Sequence, residues 1–139
     1  MKQKQCLAGL SVILACAAIE APAAAETLPA RTPLRSIDLP APKAVARVET
    51  ARMDFKPGER MPAHRHPVPV ICFVTKGNLL VRIGDAPEEK VPTGAVTYEP
   101  AGAVTHYFRN ASSSEPAQIA CATLAGAGEN TARVMLDEK

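Results

Sequence analysis

Two histidines separated by one residue carry the clearest chemical signal in this sequence of 139 residues. They lie in the segment His64-Arg65-His66. Alternate side chains of an extended strand point to the same side, so both imidazoles can converge on one ion while Arg65 points away. Neutral imidazole is a good ligand for divalent first-row metals. The spacing indicates a metal site, although a His-x-His pair also occurs as an ordinary surface or core feature.

The glycines and prolines around these histidines follow a known arrangement. Residues 58–77 resemble the first motif of the cupin family, G-x5-H-x-H-x3-4-E-x6-G, and residues 94–110 resemble its second, G-x5-P-x-G-x2-H-x3-N. In that family the motif histidines face the inside of a small barrel and hold a divalent metal. The resemblance implies that the ligands are His64, His66 and His106, and that the ion is Fe, Mn, Zn, Ni or Cu.

Two positions depart from the family pattern. The glutamate of the first motif falls on Val70, which has no donor atom, so the resemblance implies a three-histidine site without a carboxylate. Three residues separate Gly102 from His106 where the motif has two, which predicts a one-residue bulge. Glu59 and Glu99 lie near the motifs but not at the family position, and we expect both to be solvated charges.

The ligand pocket beside this site is expected to be mainly apolar. Strand alternation places Val70 and Cys72 on the inward face, and it places Phe108 on the same face as His106. Tyr98 can supply a phenol at the rim. Such a pocket favours a small, partly hydrophobic ligand over a sugar or a nucleotide.

The segments that position these residues are short runs of Val, Ile, Thr, Tyr and Phe separated by Gly, Pro, Asn and Ser. This pattern is typical of an all-β fold. The predicted strands are 45–55, 70–75, 79–83, 95–99, 104–109, 117–124 and 132–136. With the resemblance, they indicate a single small jelly-roll β-barrel of the cupin type over residues 45–139.

One strand illustrates the expected alternation. Leu79, Val81 and Ile83 should share a face that lines the core, while Arg82 points outward. The preceding Lys76-Gly77-Asn78 predicts a tight hairpin turn, because glycine and asparagine tolerate positive φ.

Residues 1–25 show the pattern of a secretory signal peptide. Lys2 and Lys4 precede an apolar run from Cys6 to Ile19, and small residues follow at 23–25. The run is shorter than the roughly 20 residues that span a bilayer. We therefore expect an exported protein, periplasmic or secreted, without a membrane span. A lipoprotein signal at Cys16 is the alternative interpretation.

Residues 26–44 are rich in proline and predict an extended arm, which is flexible or lies along the barrel or a neighbouring subunit. The resemblance implies a homodimer, with the arm and the 132–136 strand as candidates for exchange between subunits. Export would leave Cys72 and Cys121 in an oxidising compartment, where they either form a disulfide or remain buried thiols.

The charge balance and the missing motifs restrict the function. With 16 basic and 14 acidic residues, the chain shows no basic stripe for nucleic acid. The sequence contains no G-x-S-x-G elbow and no glycine-rich phosphate loop. Three hypotheses stay open: a metal-dependent oxygenase or isomerase of a small molecule, a non-catalytic binding or sensing barrel, and an interaction module with a vacant metal site.

Overall fold

The computed structural model describes residues 29–137, so the predicted signal peptide lies outside the described residues. Every regular element within that range is a β-strand. The described residues form no helix that is long and apolar enough to cross a membrane. The strands are β1 (Arg47–Phe55), β2 (Arg60–Met61), β3 (His64–Arg65), β4 (Val70–Lys76), β5 (Asn78–Ile83), β6 (Glu89–Pro92), β7 (Val96–Glu99), β8 (Val104–Asn110), β9 (Ala117–Ala125) and β10 (Val134–Met135).

The strands form two antiparallel sheets. One has the order β1-β9-β4-β7, and the other has the order β10-β3-β8-β5-β6, with β2 also pairing β8. From β3 to β10 the chain changes sheet at every step except between β5 and β6, which pair as neighbours. This topology confirms the predicted all-β jelly roll.

The core lies between the inward faces of the two sheets. On β5, Leu79 and Val81 are buried and Ile83 packs against them, as the alternation predicts. On β9, Ile119 is also buried between the sheets. Each fully buried side chain of this size contributes about 1.5–3 kcal/mol. The core is therefore the main source of stability, and it fixes which face of each strand points inward.

Gly77 is a corner between sheets and not the hairpin turn that the sequence predicts. β4 and β5 flank it, but they belong to different sheets and do not pair. Its φ is +72°, and a Cβ at this position would lie 3.0 Å from both Ala117 Cβ and Pro116 O. A close approach and a left-handed backbone both require glycine here.

The proline-rich arm lies along its own barrel from residue 32 onward. The Arg35 guanidinium donates to the carbonyl of Val96 at 2.9 Å, and Lys43 Nζ lies 2.6 Å from Glu129 Oε2. These contacts tie the arm to the sheet that contains β7 and to the loop after β9. Of the alternatives that the sequence leaves open, the structure supports an arm that packs on the domain.

Candidate metal centre

β3 and the residue that follows it position the two histidines. His64 pairs across the sheet with Thr105 on one side and with Met135 on the other. The His64 side chain is 2% exposed, and its ring stacks on Phe108 at a centroid distance of 6.4 Å. The His66 ring lies 5.3 Å from the His64 ring, nearly perpendicular to it. The structure therefore brings these two predicted ligands together.

Glu99 completes the cluster, contrary to the expectation that it is a solvated charge. It is 3% exposed, and its Oε2 lies 3.2 Å from His64 Nε2 and 3.9 Å from His66 Nε2. Among residues 29–137, a donor atom from each of these three side chains lies within 4.8 Å of the others. The site thus contains a carboxylate, which corrects the three-histidine arrangement inferred from Val70.

The carboxylate comes from the strand beside Val70. Val70 on β4 pairs directly with Glu99 on β7. Directly opposed residues of an antiparallel pair share a face, with Cβ atoms about 5 Å apart. Glu99 consequently reaches the place that a glutamate at residue 70 would reach. The sequence did not reveal Glu99 as a ligand, because the pairing of β4 with β7 leaves no local signal in the sequence. Strand alternation does place residues 97 and 99 on the same face, and that was the only sign of its position.

Hydrogen bonds fix the orientation of His64 and Glu99. His64 Nδ1 lies 2.8 Å from the carbonyl of Pro62, and a carbonyl only accepts, so Nδ1 carries the proton. In the neutral imidazole, Nε2 then presents its lone pair to Glu99, whose Oε2 accepts a hydrogen bond from Thr105 Oγ1. Two acceptors 3.2 Å apart need a cation or a second proton between them. The donor set therefore fits a metal ion, with its ligands oriented by outer hydrogen bonds.

The environment of His66 favours the neutral imidazole that binds metals. Burial lowers the pKa of His66 and outweighs the Glu99 carboxylate, which raises it. The nearby His64 and Arg133 lower the same pKa further. Its Nδ1 is buried and has no hydrogen-bond partner in the described part of the chain. A neutral imidazole can bind a metal ion directly, because no proton has to leave the binding nitrogen first.

His106 does not join the other two histidines. Between β5 and β8 the register passes from Arg82 opposite Tyr107 to Ile83 opposite Thr105, which leaves His106 as the extra residue of a bulge. Its Nε2 lies 3.1 Å from the carbonyl of Gly84. The predicted bulge is present, but it turns the histidine out of the site. Thr105 is separated from Gly102 by two residues, the spacing that the family motif gives its histidine, and its buried side chain takes the inward position.

A cavity of about 100 Å³ opens beside the three donors. Its walls are mainly apolar and include Met53, Phe55, Met61, Val70 and Phe108. Two of the four predicted pocket residues, Val70 and Phe108, thus lie next to the candidate ligands. The size and the apolar lining favour a ligand with few atoms.

The other two predicted pocket residues lie elsewhere. Cys72 is buried in the core and joined by a disulfide to Cys121, which lines the cavity in its place. The two cysteines face each other across β4 and β9, which settles the question that the sequence leaves open. Tyr98 lines a separate cavity with Arg35 and Pro100, because its neighbour Glu99 takes the inward face of β7.

The fold and the inward-facing donors define a small β-barrel protein with a candidate metal centre. The family described as Cupin domain matches residues 51–123, more than half of the chain. The protein therefore belongs to the cupin family. No curated protein matches the sequence.

Solved structures share the fold over about two thirds of this chain. An oxalate oxidase in complex with the substrate analogue glycolate has 27% sequence identity and a TM-score of 0.57, over 64% of this chain and 46% of that chain. The DMSP lyase of Ruegeria pomeroyi has 18% identity and a TM-score of 0.54, over 63% and 42%. A double-stranded β-helix protein of Klebsiella pneumoniae has 17% identity and a TM-score of 0.55, over 66% and 71%. The matched region spans less than half of the oxalate oxidase.

Proposed function

We propose that this cupin is a metal-dependent enzyme of small organic molecules, in which His64, His66 and Glu99 hold a divalent first-row metal ion. The convergence of these three buried donors beside an apolar cavity carries the proposal. Two histidines and one carboxylate form the donor set of non-haem iron(II) oxygenases. This donor set favours iron(II) as the metal and an oxygenase as the enzyme class. The alternative is an isomerase that uses another of the predicted metals.

The chain's own residues prepare the site for such an ion. The Pro62 carbonyl holds the His64 ring so that Nε2 is free, and Thr105 holds the Glu99 carboxylate. When bound, the ion supplies Lewis acidity and, as iron(II), reducing equivalents. Met53 and Phe108 shape the cavity that orients the substrate and excludes water. The likeness to an oxalate oxidase solved with glycolate supports a substrate of similar size.

Elemental analysis of protein purified without chelators or an affinity metal tests this proposal. We expect one transition-metal ion per chain, lost in His64→Ala and Glu99→Gln. His106→Ala is the matched control, since its imidazole bonds Gly84 outside the cluster, and it should keep the metal. Dioxygen uptake with small candidate substrates then separates an oxygenase from a non-catalytic binding barrel. Wild-type protein that holds no metal, even after one is added, would leave an interaction module with a vacant site as the explanation.

We also propose that the protein is exported after removal of residues 1–25. The signal-like pattern at the N-terminus supports this proposal, and so does the Cys72–Cys121 disulfide, since disulfides persist in oxidising compartments. Mass spectrometry of the protein from a fractionated bacterial host gives the test. A mature N-terminus at residue 26 in the periplasm or medium is expected. A lipid-modified Cys16 would support the lipoprotein alternative, and an intact cytoplasmic chain would contradict export.

A further inference from the structure

Arg133 lies at the mouth of the cavity that holds the candidate metal ligands. It immediately precedes β10, where Val134 pairs with Arg65 and Met135 pairs with His64. Continuing this antiparallel register by one residue sets Arg133 opposite His66. Opposed residues share a face of the sheet, so Arg133 lies on the side of the two histidines. Arg133 accordingly lines the cavity together with His64, His66 and Glu99.

The Arg133 guanidinium has most of its donors available. One NH group lies 3.7 Å from Met53 Sδ, and thioether sulfur is a weak acceptor. None of the described carboxylates lies within 4.0 Å of it, in contrast to surface arginines such as Arg47, which pairs with Glu49. A planar guanidinium presents a fork of N–H donors that matches a carboxylate in a bidentate manner. Arg133 therefore offers an unused anion-binding group beside the candidate metal centre.

The charge of the site favours an anionic ligand. The three ligands are one carboxylate and two neutral imidazoles. A bound divalent ion would therefore give the site one net positive charge. Arg133 adds another, and the remaining walls are mainly apolar. A cavity of about 100 Å³ has room for only a small ligand. The ligand that fits this charge and size is a short organic acid.

We propose that Arg133 binds the carboxylate of the substrate, so that the substrate class is small carboxylic acids whose body lies against Met53 and Phe108. This inference rests on the proposed function, because it assigns the ligand of the same cavity. Arg133 acts as a specificity-determining residue, since it selects an acid over a neutral molecule of the same shape. Its distance along the chain from both cupin motifs explains why motif reading does not find it.

Calorimetric binding to the full chain loaded with zinc, a redox-inert ion, tests this assignment. The probes are glycolate, lactate and butyrate, each compared with its neutral amide. We expect at least one acid to bind at least ten times more tightly than its amide. Arg133→Gln should weaken that acid roughly 10- to 100-fold, the range for a hydrogen bond to a charged group, and leave the amide unchanged. Arg133→Lys should give an intermediate affinity.

Arg65→Gln is the matched control, because Arg65 lies between the two histidines but points to the opposite face. It should bind the acids as the wild type does. Equal affinity for acid and amide, no binding of any acid, or an Arg133→Gln variant that binds acids normally would overturn the assignment. The zinc content of each variant is measured separately. Failure of wild-type protein to hold zinc would contradict the proposed metal site. An acid that binds wild type and Arg133→Gln equally tightly would contradict only the role of Arg133.

Discussion

Glu99 and Val70 show how one donor can move between neighbouring strands without leaving its site. The two residues are opposed across β4 and β7, so side chains from either position project into the same space. Glu99 is held there by Thr105, which occupies the inward place left by the β8 bulge. The orientation of the Glu99 carboxylate therefore depends on the inward position that the bulge gives to Thr105.

This interchange predicts the behaviour of a relocated carboxylate. Glu99→Val should weaken metal binding by at least about 100-fold, because the loss of even an outer partner of a ligand costs about 10- to 100-fold. The double variant Val70→Glu/Glu99→Val restores a carboxylate at the opposed position and should regain most of the affinity. Titration with zinc or manganese, followed by calorimetry, measures both changes.

Glu59→Gln serves as the control, since Glu59 is an exposed turn residue. It should bind metal as tightly as the wild type. If the double variant binds no better than Glu99→Val, the two positions are not equivalent. Circular dichroism of each variant separates that result from unfolding.

At the scale of elements, the local pattern predicts most strands and fails where pairing decides the outcome. The 79–83 strand and its inward Leu79 and Val81 follow from alternation and are confirmed. The two-residue strands β2 and β3 are too short to show a period. The side on which His106 emerges depends on where the bulge absorbs the extra residue, and that depends on the partner strand β5. Glu99 likewise depends on its pairing with Val70, which lies distant in sequence.

Gly77 offers a test of the corner between the two sheets. Gly77→Ala places a Cβ in contact with Ala117 and Pro116 in addition to the left-handed strain. Gly84→Ala is the matched control, because its φ is +56° and a Cβ there meets nothing within 4 Å. The control should lose about 1–2 kcal/mol of unfolding free energy from the backbone alone. Gly77→Ala should lose about 1–3 kcal/mol more from the crowded contact.

Urea denaturation of both variants measures this difference. Equal losses for the two glycines would mean that the β9 segment moves aside freely, and the corner would then not be a rigid link between the sheets.

At the scale of the molecule, the outer face of the β1-β9-β4-β7 sheet exposes large apolar side chains. Phe73 is 42% exposed and Val48 is 54% exposed. A shallow, open depression of about 340 Å³ lies beside Phe73, with Ala120 and Ala122 in its lining. Exposed apolar side chains grouped around a surface depression are a candidate interaction site on a folded protein. The arm and β10, the other candidates for contact with a second subunit, both pack on their own barrel.

These surfaces predict a homodimer that packs through the outer face of this sheet. A two-fold axis through the sheet would bring the same apolar patch of each subunit together. Phe73→Glu places a charge in the centre of that contact, so it should convert dimer to monomer in light scattering coupled to size-exclusion chromatography. Val134→Glu is the matched control, because Val134 is also 42% exposed but lies on β10. That variant should stay dimeric; a monomer from Val134→Glu and a dimer from Phe73→Glu would place the interface at β10, where strand exchange covers an exposed edge.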